Sequence, residues 1–80
     1  MEVIYVNAGN DASGNPRRGW LVILRGAHHG FVDEGYSGRG AFDGGPFEHL
    51  KDSAWNAPEV SITPGEYRKL CKLETRAVRS

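Results

Sequence analysis

The sequence predicts an α+β domain, a three- to four-stranded, mainly antiparallel sheet with one C-terminal helix packed on a face. Three observations carry this. Short runs rich in β-branched and aromatic residues alternate with clusters of Gly, Asn, Asp and Pro over the first half of the chain. A glycine-dense middle follows. Thr63-Pro64-Gly65-Glu66 then opens a segment of helical period.

Val3–Ala8 reads as a first strand, and residues 9–18 (GNDASGNPRR) as an exposed loop. Gly19–Arg25 is the second strand. Its two faces, Trp20/Val22/Leu24 and Leu21/Ile23, are both apolar, so it belongs in the middle of the sheet with cover on both sides. Gly26-Ala27-His28-His29 is a short connection to a third strand, Gly30–Glu34, and the two make a hairpin. Five glycines fall between Gly35 and Gly45, and residues 46–53 suit one or two helical turns. A long structureless stretch in a small domain must pack down, here through Phe42, Phe47, Leu50 and Trp55 onto the second sheet face. Glu59–Ile62 is a short fourth strand. In the helix, Thr63 is the N-cap, Pro64 fits the first helical position, and Glu66 reaches back to the cap. Tyr67, Leu70, Cys71, Ala77 and Val78 form the buried stripe, which Glu74 interrupts, so the tail is expected to fray from about residue 75.

The 80 residues suffice for one domain near the lower limit of independent folding, with eight aromatics to supply buried area. A homodimer would relieve the shortage of core. The single Cys71 excludes an internal disulfide. Glu2-Val3-Ile4-Tyr5-Val6 reads as a strand rather than a leader, and the longest apolar run, Trp20–Leu24, is far short of the ~20 residues that span a bilayer. A cytoplasmic protein without membrane contact is expected. The net charge of zero hides a dipole. Residues 1–62 hold five Lys/Arg against eight Asp/Glu, residues 63–80 five against two, giving −3 and +3.

That asymmetry supplies the main functional candidate. Arg68, Lys69, Lys72, Arg76 and Arg79 cluster on about a third of the helix circumference, opposite Tyr67 and Leu70. Such a face is common on solvated surface helices, but it can also meet phosphates or an acidic protein patch. Nucleic-acid binders usually add a net basic charge, absent here, so an acidic protein partner is favoured over nucleic acid or a nucleotide phosphate. Arg17 and Arg18 at a loop-to-strand junction, and Tyr36 and Arg39 in the glycine loop, complete the candidate partner-binding set.

No catalytic constellation stands out, and the expectation is a non-enzymatic chain without cofactor or metal. The glycine loop lacks the Gly-Lys-Ser/Thr ending of a phosphate loop. His28, His29 and His49 lack zinc-type spacing, and His28 and His29 would face opposite ways in a strand. Consecutive Asp33 and Glu34 likewise do not form an acid/base dyad, and Cys71 sits on the apolar helix stripe.

The segments Gly19-Trp20-Leu21-Val22, Phe31-Val32-Asp33-Glu34-Gly35-Tyr36-Ser37-Gly38-Arg39 and Thr63-Pro64-Gly65-Glu66-Tyr67-Arg68 together resemble a pattern of small uncharacterised proteins of bacterial and phage genomes, over about residues 16–70. No activity is attached to that group, so no functional residues carry over. The resemblance implies a phage or mobile-element context, in which a chain of this size acts by binding a host protein as an inhibitor or adaptor.

Overall fold

The computed structural model describes residues 2–35 and 38–79, without the side chains of Arg39 and of residues 74–79. It is an α+β fold: strands β1 (Glu2–Asn10), β2 (Pro16–Leu24), β3 (Ala27–Asp33) and β4 (Glu59–Ser61), with helices α1 (Lys51–Trp55) and α2 (Pro64–Arg79). Two 3-10 turns, Gly38–Phe42 and Glu48–Leu50, precede α1. The sheet order is β3-β2-β1-β4. β1/β2 and β2/β3 are antiparallel, and β4 joins β1 in parallel.

This topology explains the long middle segment. β3 and β4 lie on opposite edges and run the same way, so the chain must travel back along the sheet between them. It does so across one face, where Phe42, Phe47 and Ala54 pack on Val3, Trp20 and Val22. α2 then returns over the other face, where Leu70 packs on Val6, Leu21 and Phe31. β2 is therefore an interior strand with both faces covered, as its two apolar faces predict.

Several boundaries differ from the sequence reading. β1 and β2 extend toward each other, leaving a loop of only 11–15. Asp11 closes it by accepting hydrogen bonds from the backbone N–H groups of Ser13 and Asn15, both at 2.9 Å. Arg17 and Arg18 are consequently strand residues, not loop residues. The β2–β3 connection is also shorter than expected. Only Arg25 and Gly26 form the turn, at φ 54° and 79°, the two left-handed positions of a two-residue hairpin. His28 and His29 thus lie in β3, where a bulge pairs Val22 with Gly30 but Ile23 with His28.

The helical turns before β4 run on to Trp55, yet Trp55 does not pack down as expected. It is 63% exposed, and Ala54 takes the buried position. Neighbouring residues on a helix point about 100° apart, so only one of the two can face the sheet. Phe42 and Phe47 are buried and Leu50 partly so.

Gly19 is fixed by close approach. A Cβ there would fall 2.5 Å from Phe31 Cζ and 2.5 Å from the Val32 carbonyl oxygen, so the Phe31 ring occupies the space a side chain would need. The α2 cap has the expected form. The Glu66 N–H donates to Thr63 Oγ1 at 3.2 Å, and the Thr63 N–H donates to Glu66 Oε1 at 3.3 Å. The backbone of α2 stays helical through Arg79. Ala77 and Val78, and the frayed tail expected from about residue 75, fall among side chains outside those described. No helix among the described residues is long and apolar enough to cross a membrane.

Candidate functional site

The strand alternation sorts the polar residues at one end of the sheet onto two faces. Tyr67 of α2 donates its hydroxyl to Asp33 Oδ1 at 2.7 Å on the helix side. Tyr5 of β1 donates to Glu34 Oε1 on the other. Burial, reinforced by the hydrogen bond to Glu34, pushes the Tyr5 hydroxyl up to about 12. Burial and the bond to Asp33 raise Tyr67 well above the ordinary phenol value. Each phenol is held neutral as a donor to its carboxylate. Asp33 and Glu34 are thus separated by the sheet, each engaged by its own tyrosine.

The adjacent arginines are divided in the same way. Arg18 shares the face of Trp20 and sets its Nε 3.7 Å from Glu34 Oε1, beyond hydrogen-bond range. Arg17, on the opposite side of β2, donates from Nη2 to the Asn10 carbonyl at 2.7 Å. Both Nε atoms are buried without a hydrogen-bond partner among the described residues. Lys51 pairs with Asp43 at 2.7 Å. Arg68, Lys69 and Lys72, by contrast, stand exposed on α2 and make no ion pair among the described residues. Tyr36 and the side chains of Arg39 and Arg76 lie outside the described residues.

Two depressions flank these groups. On the helix side, α2 lies mainly against β3 and leaves part of β1 and β2 uncovered. The result is a groove of about 400 Å³ floored by Ile4, Val6 and Leu21 and walled by Ile62 and Leu70, with His28, Glu66 and Lys69 at its mouth. On the other side, a recess of about 280 Å³ is lined by Tyr5, Trp20, Glu34, Ala54, Trp55 and Ala57. His29 faces away from the groove, with its ring 5.8 Å from that of Phe47. No three His, Cys, Asp or Glu side chains come together as metal ligands among the described residues.

The sequence reading missed the Tyr5–Glu34 and Tyr67–Asp33 pairs, the exposure of Trp55 and both depressions. Alternation puts Tyr5 and Glu34 on one face only once the β1/β2/β3 register is known, so no local motif signals them. Comparison with protein-family models, curated proteins and solved structures finds no match to this chain.

Proposed function

We propose that this protein is a non-enzymatic binding module, an inhibitor or adaptor of phage or mobile-element type, whose α2 basic face meets an acidic patch on a host protein. The observation that carries this reading is the contrast among its cations. Arg17, Arg18 and Lys51 lie against oxygens of their own chain and Arg25 is exposed singly in the β2–β3 turn, whereas Arg68, Lys69 and Lys72 are exposed together on one helix without a carboxylate partner among the described residues. A face of three exposed cations on one helix gives orientation and fast encounter with a negative surface. The acidic balance of residues 1–62 disfavours a polyanion such as nucleic acid, which would meet repulsion beyond the helix.

The test is affinity capture from host lysate, run both untreated and nuclease-treated, with the wild type and with the Arg68→Glu/Lys69→Glu/Lys72→Glu variant. A protein retained by the wild type and lost by the variant, with unchanged far-UV circular dichroism, supports the reading. Co-purifying nucleic acid with steep salt dependence would support phosphate binding by the same cations. Equal capture by both chains would reduce the basic face to a solvated surface.

A further inference from the structure

The recess on the loop-covered face is built differently from the rest of the surface. Trp55, at its rim, is a large aromatic left 63% exposed on a chain with few residues to spare for burial. Trp20 and Tyr5 form the inner wall, their ring centroids 5.1 Å apart. Glu34 supplies a carboxylate that the Tyr5 hydroxyl holds in place. Glu59 lies opposite Tyr5 in the β1/β4 register and adds a second negative charge near the phenol. Arg18 is the opposing cation, and with its Nε 3.7 Å from Glu34 it leaves this cluster of two carboxylates and one guanidinium at −1.

The exposed Trp55 ring and the half-buried Tyr5 ring, backed by the buried Trp20, stand around an anchored carboxylate and match the chemistry of a poorly hydrated organic cation. The ring faces attract positive charge through their quadrupoles, and the carboxylate supplies the counter-ion. A hard metal ion would need several more oxygen ligands than this recess offers. Its size, about 280 Å³, suits one cationic group rather than a drug-sized molecule. We infer that the recess between Tyr5, Trp20, Glu34 and Trp55 is a binding site for an alkylated ammonium group. This site lies across the sheet from the basic face of α2 and stands independently of the function proposed above.

The full chain is titrated with choline, with its neutral carbon isostere 3,3-dimethyl-1-butanol, and with an acetylated trimethyl-lysine amide. The indole N–H signals of Trp20 and Trp55 are followed by NMR. The expected result is saturable binding of the cations with a dissociation constant of about 1 mM and at least roughly tenfold weaker binding of the isostere. Trp55→Ala and Glu34→Gln should each weaken binding about fivefold. Trp55→Ala, at a 63% exposed position, is the second variant should Glu34→Gln unfold, and its circular dichroism and thermal midpoint are measured alongside the titration. Tighter binding of the trimethyl-lysine amide would identify a modified side chain as the source, and equal binding a free quaternary ion. No saturable shift up to about 50 mM, equal binding of the isostere, or an unchanged affinity in Trp55→Ala would overturn the assignment.

Discussion

The two faces of the sheet solve one packing problem in different ways. One is covered by α2, whose backbone hydrogen bonds are internal and whose position depends on a cap and an apolar stripe. The other is covered by an irregular segment held by short-range bonds, such as Asp43 N–H to the Gly40 carbonyl and Leu50 N–H to the Phe47 carbonyl. The helix favours β3 and leaves a groove over β1 and β2. The irregular cover leaves the smaller recess and places two buried phenylalanines against Trp20 and Val22. Regular structure is thus the easier cover to specify, and the irregular cover buries the larger side chains.

The sharpest test of that contrast is truncation on each side. Phe42 is 1% exposed and its ring lies 5.1 Å from that of Trp20, so Phe42→Ala should cost about 4 kcal/mol in denaturant unfolding. Leu70→Ala, beside an existing groove into which neighbours can relax, should cost less, about 3 kcal/mol. A larger loss at Leu70 than at Phe42 would reverse the ranking of the two covers.

Gly19 tests the helix-covered side from within the sheet. Gly19→Ala would push a methyl group into the Phe31 ring and the Val32 carbonyl, at a cost of about 2 kcal/mol. Adding Phe31→Leu should recover part of that loss if the ring is the main obstruction. No recovery would place the strain on the backbone contact instead.

The paired tyrosines permit a direct comparison of the faces. Tyr5→Phe and Tyr67→Phe each remove a hydroxyl donor from a carboxylate and should cost about 1.5 kcal/mol. Alkaline pH provides a second measurement. A phenol in the unfolded chain releases its proton around 10, while Tyr5 in the folded chain holds on to about 12 and Tyr67 is raised further. Between those values the folded state binds more protons than the unfolded state, so stability is full below pH 10 and falls as the pH rises. Each Tyr→Phe variant should lose part of this alkaline destabilisation. An unaltered pH profile in both would locate its origin elsewhere.

What could be read in the sequence follows the same division. The capping box, the apolar stripe and the two-sided pattern of β2 are local regularities, and each led to a correct element. The extension of Pro16–Arg18 into β2 was hidden because Asn15-Pro16 carries turn chemistry, while pairing with β1 decides the outcome. The choice of Ala54 over Trp55 for burial depends on the angle at which a five-residue helix meets the sheet, and residue type suggested the reverse. The basic face of α2 was legible because helical period places it. The Tyr5–Glu34 recess was not, because its residues come from β1, β2, α1 and the connections after β3 and α1, and meet only through the register.

The smallest expected effect returns to the most legible element. Thr63→Ala removes the side-chain acceptor for the Glu66 N–H while leaving the Glu66 carboxylate able to reach the backbone N–H of residue 63. Half of the reciprocal cap survives, so the loss should be about 1 kcal/mol, and Thr63→Ser should restore most of it. The destabilisation should appear first as faster amide exchange in the opening turn of α2, while Phe42 and Trp20 on the other face keep their native signals. If both faces loosen together, the helix start would instead control the whole domain, and the two covers would act as one cooperative unit despite their different construction.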